Sequence, residues 1–118
     1  MKVSIITATY NSEKTLKTCM ESVLGQTYQN IEYIIIDGKS TDRTLRLIQE
    51  FASSDERIRY VSEKDSGIYE ALNKGIKKAT GDIIGFVHSD DFLAKPEIIE
   101  DIVQCFINFN VDGVYGNL

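Results

Sequence analysis

Strand-like and helix-like segments alternate along this chain, and that alternation limits its fold more than any other feature. The strand-like runs are short and rich in β-branched residues, whereas the segments between them carry one apolar stripe at helical spacing. Strands are predicted at residues 3–7, 31–37, 57–62, 82–88 and 113–117, and helices at residues 12–24, after residues 40–44, at residues 68–79 and from Pro96. This βαβαβαβαβ order predicts an α/β fold, with a mostly parallel sheet flanked by helices. At 118 residues, the chain is expected to form a single domain, residues 1–118.

Charge and cysteine content exclude several classes of protein. The chain has 13 basic and 18 acidic residues, so its net charge of −5 argues against a nucleic-acid partner. Cys19 and Cys105 fall at apolar helical positions, where buried, reduced thiols are expected, as suits a cytoplasmic protein. Apolar runs such as residues 33–36 are far too short to cross a bilayer, so we expect a soluble chain.

Polar and acidic residues follow four of the predicted strands, at the point where each strand ends. In parallel sheets the carboxyl ends of the strands meet at one edge, and ligands bind there. The four segments are "TATYN" (7–11), "DGKSTD" (37–42), "SEKDSG" (62–67) and "HSDD" (88–91). They predict a binding site at this edge of the sheet.

Several residues in these loops allow two interpretations. The first loop has no glycine, which argues strongly against a dinucleotide site, and the phosphate-binding pattern G-x-x-x-x-G-K-[ST] is missing too. Tyr10 can stack on a flat base or simply pack against the protein. Asp37 can form an Asx-turn with Gly38, or it can accept hydrogen bonds from a ligand. Asp42 precedes a predicted helix, so we interpret it as a capping acid.

The most unusual pair is Asp90 and Asp91, two adjacent carboxylates where a buried strand ends. Like charges about 4 Å apart cost roughly 4 kcal/mol at an effective dielectric near 20, so something should offset their repulsion. One interpretation is a turn cap. The other is a hard cation such as Mg²⁺ or Mn²⁺, which uses one or two carboxylates and lets substrate phosphates complete its shell.

At this point the chain resembles a family 2 glycosyltransferase with the Rossmann-like GT-A fold. The matching segments are "VSIITATYN" (3–11), "QTYQNIEYIIIDGKSTDRT" (26–44), "SEKDSGIYEALNKGIKKATGDIIGFVHSDD" (62–91) and "DGVYGN" (112–117). The resemblance implies a nucleotide-diphosphate-sugar donor, often UDP-linked, and a divalent metal, Mn²⁺ or Mg²⁺. It also implies a saccharide or lipid-linked acceptor, and a role in polysaccharide or glycoconjugate biosynthesis.

The resemblance also assigns roles by position. Thr7, Ala8 and Tyr10 would border the base, and Asp37 would bind the base or the ribose. Asp91 would be the direct metal ligand, with Asp90 beside the ribose or the metal. A further loop and helix would flank the donor through Asp65, Tyr69, Asn73 and Lys74.

The chain departs from the family pattern in three ways. Proline is common in the family where Ala8 stands, and Lys39 replaces a glycine in the loop after the second strand, where we expect it to point to solvent. The carboxylate that would act as catalytic base in an inverting transfer is expected beyond Leu118, together with the acceptor site. We therefore expect a truncated chain that binds donor weakly and transfers little or nothing. The full-length protein is expected to be cytoplasmic or peripheral at the inner face of the membrane.

Three alternatives remain open at this stage. The first is a non-catalytic module that binds sugar nucleotides, which would share the same donor site. Separately, a second copy of the chain is a candidate partner. A Mg²⁺-binding receiver domain should carry its acidic pair after the first strand, where this chain has "TATYN". A nucleotidyltransferase would usually begin with a glycine-rich basic loop, which is absent.

Overall fold

A computed structural model describes residues 1–109, in which helices and strands alternate strictly. The predicted fifth strand, residues 113–117, lies outside the described residues. Within residues 1–109, no helix has the length and apolar character to span a membrane. The elements are β1 (Val3–Thr9), α1 (Leu16–Leu24), β2 (Ile31–Asp37), α2 (Thr44–Ser54), β3 (Ile58–Ser62), α3 (Ile68–Lys78), β4 (Ile83–Phe86) and α4 (Ile98–Phe109).

The four strands form one parallel sheet in the order β3-β2-β1-β4. This confirms the predicted α/β class. The chain moves outward from β1 to β3 and then crosses to the other side of β1 to form β4. Because crossover connections are right-handed, this reversal of direction places α3 on the opposite face of the sheet from α1 and α2. The carboxyl ends of all four strands therefore face one edge.

Two apolar clusters cover the faces of the sheet. Side chains from α1, α2 and α4 pack with Val3, Ile5 and Ile35 on one face. The cluster on the other face is smaller. There, Ala71 of α3 packs on Ile6, Ile34 and Ile36. Every residue of β2 is buried, as its nearly continuous apolar run predicts for a strand covered on both sides.

Several predicted boundaries differ from the structure by a few residues, and two of these differences bear on the binding edge. The first helix begins at Leu16 rather than at residue 12, because Asn11 adopts a positive φ of 47° and residues 12–15 form a turn instead. Thr15 is its N-cap. The fourth strand ends at Phe86, so the "HSDD" segment lies in the loop beyond the sheet.

Helix α3 lies close against the sheet at Gly75. A Cβ atom there would lie 2.5 Å from Cγ2 of Ile6, a branched side chain that is fully buried. We expect Gly75→Ala to lower the free energy of unfolding by about 1–2 kcal/mol, because overpacking outweighs the better helix propensity of alanine. Urea unfolding measures the change. Lys77→Ala, at an exposed position of the same helix, should have little effect, and equal stability of the two variants would contradict this packing.

Candidate functional site

Loops from all four strands meet around a cleft at the carboxyl edge of the sheet. A cavity of about 620 Å³ opens there. The segments that follow β1, β2, β3 and β4 all contribute to its walls, as does the first turn of α3. The residues that line it are Ala8, Thr9, Tyr10, Ser12, Gly38, Lys39, Lys64, Asp65, Ser66, Gly67, Ile68, Ala71 and Ser89. The predicted binding edge is thus a real concavity.

A second cavity of about 650 Å³ adjoins the first and shares Ala8, Ser12, Ile68 and Ser89 with it. Its remaining residues come from the segment before α1, the loop before α2 and the loop after β4: Asn11, Glu13, Lys14, Thr15, Asp42, His88 and Asp90. The two cavities form one groove, which extends from Tyr10 at one end to Asp90 at the other.

The end of the groove near Tyr10 combines an aromatic ring with a carboxylate. The Tyr10 side chain is 61% exposed, so its ring is free to contact a ligand. Gly38 lies between this ring and Asp65, because a Cβ atom at position 38 would be 3.5 Å from Cδ1 of Tyr10 and 3.4 Å from Oδ2 of Asp65. Asp65 also accepts a hydrogen bond from the N–H of Gly67, whose φ is 139°.

Asp37 is fully buried beneath the groove rather than facing it. Its Oδ2 atom accepts hydrogen bonds from the Ser40 N–H at 2.9 Å and from the Ser62 hydroxyl at 2.7 Å, and Oδ1 accepts one from the Ser40 hydroxyl. The carboxylate therefore ties the loop after β2 to the end of β3, and its backbone bond goes to Ser40, three residues on, rather than to the residue two positions on that an Asx-turn uses. Contact between Asp37 and a ligand stays a prediction.

Asp42 lies one residue before the N-cap of α2, which is Arg43, so it is not the capping residue predicted, although it binds the first N–H of the helix. Its Oδ1 atom accepts a hydrogen bond from the Thr44 N–H at 2.9 Å, at the start of α2. Its Oδ2 atom accepts a longer bond from the Glu13 N–H, at 3.3 Å. Although desolvation opposes the change, these hydrogen bonds lower the pKa of Asp42.

Four other predicted site residues lie away from the groove. Thr7 is fully buried with its side chain turned toward α1, because residues 3, 5 and 7 of β1 face that layer. It therefore does not border the groove. Tyr69 and Asn73 are on the solvent side of α3, and Lys74 pairs with Glu63 at 3.0 Å and with Glu70 at 3.5 Å. Helix α3 instead lines the groove with Ile68 and Ala71.

Asp90 and Asp91 occupy an exposed turn after β4. Asp91 donates its N–H to the His88 carbonyl at 3.0 Å, and its Oδ1 atom accepts the Phe92 N–H at 2.8 Å. Neither carboxylate forms an ion pair with a basic side chain in the described part of the chain. Across residues 1–109, no cluster of three or more His, Cys, Asp or Glu side chains could hold a metal ion. These two aspartates therefore provide carboxylate oxygens for a hard cation but not a complete shell.

Sequence reasoning missed Ser12 and the first turn of α3 as groove residues, and it gave Ser89 no role of its own within "HSDD". Ser12 and Ser89 face each other with hydroxyl oxygens 3.0 Å apart, which joins the loop after β1 to the loop after β4. Their signal in the sequence is weak, because serine is common in any turn. Only the position of Ser12 beside "TATYN" and of Ser89 within "HSDD" could have indicated them.

Lys39 lines the groove in a left-handed conformation, with a φ of 61°, and is exposed as expected. That conformation costs a residue with a Cβ atom about 1–2 kcal/mol, part of which glycine loses again through its greater freedom in the unfolded chain. We expect Lys39→Gly to raise the free energy of unfolding by about 0.5 kcal/mol. Chemical denaturation of wild type and Lys39→Gly measures this change in the free energy of unfolding. Asn11→Gly, the matched change at a φ of 47°, should instead destabilise, because Asn11 Oδ1 accepts the Thr41 N–H at 2.8 Å.

Comparison with known proteins gives consistent matches. The family model described as Glycosyl transferase family 2 matches residues 4–118. The chain is 32% identical to glycosyltransferase GlyA of Streptococcus pneumoniae over 98% of its own length, and 42% identical to chondroitin synthase of Escherichia coli over 93%. It spans only 16% of the length of each of these two relatives.

Solved structures show the same fold. Residues 1–349 of TarS from S. aureus, in complex with UDP-GlcNAc, superpose with a TM-score of 0.86 at 25% identity, over 100% of this chain and 37% of that one. The mannosyltransferase PcManGT from Pyrobaculum calidifontis, in complex with GDP-Man and Mn²⁺, gives a TM-score of 0.82 at 24% identity, over 89% of this chain and 32% of that one. The predicted GT-A fold is confirmed.

Proposed function

Because the chain belongs to glycosyl transferase family 2, we propose that it forms the donor-binding part of an enzyme that moves a sugar from a nucleotide-diphosphate-sugar to an acceptor hydroxyl. We take the donor to be UDP-linked and the transfer to be metal-assisted and inverting. The acceptor is a saccharide or a lipid-linked sugar, in polysaccharide or glycoconjugate biosynthesis. Family membership removes the receiver-domain alternative.

The groove from Tyr10 to Asp90 is the observation that carries this proposal. A nucleoside diphosphate has a flat base at one end and an anionic diphosphate at the other. The exposed Tyr10 ring suits the base, and Lys14, which lines the second cavity together with Asp90, suits an anion at the other end. The two joined cavities are of the size that small-molecule ligands occupy. TarS, which shares the fold, was solved with UDP-GlcNAc.

The chemistry of Asp90 and Asp91 fits a divalent metal, Mn²⁺ or Mg²⁺. Both residues are exposed, and no basic side chain within residues 1–109 pairs with them. We propose that Asp91 is the direct ligand and that Asp90 lies beside the metal or the ribose. Two carboxylates leave positions that substrate phosphates can fill. When bound, such a cation neutralises charge on the diphosphate as it leaves.

The other groove residues would orient the donor. Tyr10 would stack on the base, and Ala8 and Gly38 leave space beside it. Asp65, held by the Gly67 N–H, presents a carboxylate that can accept hydrogen bonds from the base or the ribose hydroxyls. These contacts fix the anomeric carbon in one position relative to the acid pair, and holding reactants in place is a major source of catalytic rate.

An inverting transfer also needs a base that takes the proton from the acceptor hydroxyl. We propose that this base and the acceptor site lie outside residues 1–118, in keeping with the small share of each relative that the chain spans. We also propose a cytoplasmic location, where Cys19 and Cys105 would remain the free thiols seen in the structure.

Calorimetric titration of UDP into the full-length protein, with Mn²⁺ and then with a chelator, tests the donor site. We expect binding in Mn²⁺ and a large loss of affinity with the chelator, because the diphosphate would otherwise face two bare carboxylates. A titration with free uridine is the matched control, and it should respond little to the metal. A folded protein that binds no UDP in either condition would contradict the proposal.

A further inference from the structure

Two backbone carbonyl groups lie between the end of β4 and the turn that carries Asp90 and Asp91, here called the acidic turn. Each of them accepts a hydrogen bond from a buried side chain. Beyond the end of β4, the Val87 N–H still donates to the Ile6 carbonyl at 3.1 Å. Thr7 Oγ1 then donates to the Val87 carbonyl at 2.8 Å, and Cys19 Sγ donates to the His88 carbonyl at 3.3 Å. Val87 and His88 directly precede the acidic turn. The side chains that hold their carbonyls therefore set where the turn begins.

The direction of these hydrogen bonds can be assigned. A carbonyl only accepts, so the single hydroxyl proton of Thr7 is used on Val87. The Tyr33 hydroxyl, 2.9 Å from Thr7 Oγ1, must therefore donate to Thr7. Burial raises the pKa of Tyr33, which keeps its proton in place. Tyr33, Thr7 and the Val87 carbonyl thus form one directed chain, fully inside the protein.

Thr7 lies where an apolar residue would otherwise be expected. Its neighbours on the same face of β1, Val3 and Ile5, belong to the apolar cluster, and Thr7 is fully buried beside them. A buried hydroxyl is unfavourable unless it is hydrogen-bonded, and valine would fill almost the same volume. The contact with Val87 is what the hydroxyl adds.

We infer that Thr7, supported by Tyr33 and Cys19, is a positioning residue that fixes the Asp90–Asp91 turn relative to the donor groove. The inference rests on the proposed function, because it takes this turn to be the part that meets the metal and the diphosphate. The Ser12 and Ser89 hydroxyls, 3.0 Å apart, add a second link between the segment after β1 and the same turn. Strand β1 would then position both ends of the groove: Tyr10 directly follows it, and its Thr7 holds the segment that leads to Asp90.

Thr7→Val and Thr7→Ser in the full-length protein form a matched pair. Valine keeps the shape and loses the hydroxyl, whereas serine keeps the hydroxyl. Because supporting partners of metal ligands are worth about 10- to 100-fold in affinity, we expect Thr7→Val to raise the Mn²⁺ concentration for half-maximal UDP binding about tenfold. Thr7→Ser should stay close to wild type, and binding of UDP without metal should be equal in all three proteins.

Amide hydrogen exchange across residues 88–92 provides a readout that needs no metal. Thr7→Val should speed exchange of the Asp91 and Phe92 amides. Amides at the amino ends of the strands should exchange at the wild-type rate. If wild type shows no Mn²⁺-dependent UDP binding, the proposed function fails, and the exchange result alone decides whether Thr7 holds the turn. If wild type binds UDP with Mn²⁺ and Thr7→Val matches it in both readouts, the inference is overturned.

Tyr33→Phe keeps the inference testable should Thr7→Val fail to fold. It removes the donor to Thr7, together with the 3.6 Å contact between the Tyr33 hydroxyl and Cys19 Sγ, and leaves the ring in the core. We expect the same two changes in the same direction but smaller, roughly threefold in the Mn²⁺ requirement. Wild-type exchange and an unchanged Mn²⁺ requirement in Tyr33→Phe, together with a lower melting temperature, would assign the hydroxyl chain a structural role alone.

Discussion

Asp91→Asn is expected to abolish the Mn²⁺-dependent component of UDP binding by the full-length protein while leaving its fold intact. The change removes one of two carboxylates in an exposed turn. Its local hydrogen bond from the Phe92 N–H can be kept by the asparagine carbonyl oxygen. Groups that merely support a metal ligand are worth about 10- to 100-fold in affinity, so losing the ligand itself should cost at least about 100-fold.

Two matched variants sharpen this test. Asp101→Asn makes the same change of charge at an exposed position of α4 and should bind UDP and Mn²⁺ as wild type does. Asp90→Asn should lie between the two, because Asp90 is proposed beside the ribose or the metal. If Asp91→Asn and Asp101→Asn bind equally well with Mn²⁺, then Asp91 caps a turn and holds no metal.

Glu32→Gln is expected to cause a large loss of stability at neutral pH. Glu32 lies near the start of β2, at the edge of the sheet opposite the groove. Glu32 is almost fully buried and accepts hydrogen bonds from the Thr80 N–H and the Ser4 hydroxyl, both at 2.9 Å. Arg59 donates to its other oxygen, also at 2.9 Å. An amide in place of the carboxylate loses the ion pair and turns N–H groups toward donors that need an acceptor. Because Arg59 is half exposed, the loss comes chiefly from buried donors that lose a charged acceptor, and we expect the free energy of unfolding to fall by about 3 kcal/mol.

The difference in stability between wild type and Glu32→Gln should become smaller as the pH falls. Burial alone would raise the pKa of Glu32, but the bonds from Thr80, Ser4 and Arg59 outweigh it and lower the pKa from 4.5 to about 2. A depressed pKa contributes stability above pH 4.5 that is lost as pH falls toward 2. The stabilities of wild type and Glu32→Gln should therefore converge between these limits.

Urea unfolding at a series of pH values measures this convergence. Glu56→Gln, at an exposed position between α2 and β3, makes the same chemical change and should run parallel to wild type throughout. A constant difference between wild type and Glu32→Gln from pH 7 to pH 3 would contradict the role assigned to the ionised carboxylate.

Much of this fold could be predicted because its signals are local. The all-apolar run of β2 predicts a strand buried on both faces, and the structure has it at the same bounds, Ile31–Asp37. Boundaries were less certain, since a backbone feature such as the positive φ of Asn11 decides where α1 begins. The binding edge could also be predicted, because polar loops at the ends of parallel strands must meet.

The sequence by itself determined the alternating elements, the parallel sheet and the polar edge where the groove lies. Only the tertiary structure decided which loop residues face that groove. Asp37 and Thr7 stand at predicted site positions, yet both turn inward, toward Ser62 and Val87. Thr7 and Val87 are 80 residues apart, and they meet only because β4 pairs with β1 after the chain reverses direction. The reason is physical: periodicity fixes which residues share a face of a strand, but the order of the strands and the packing of the helices fix what that face meets.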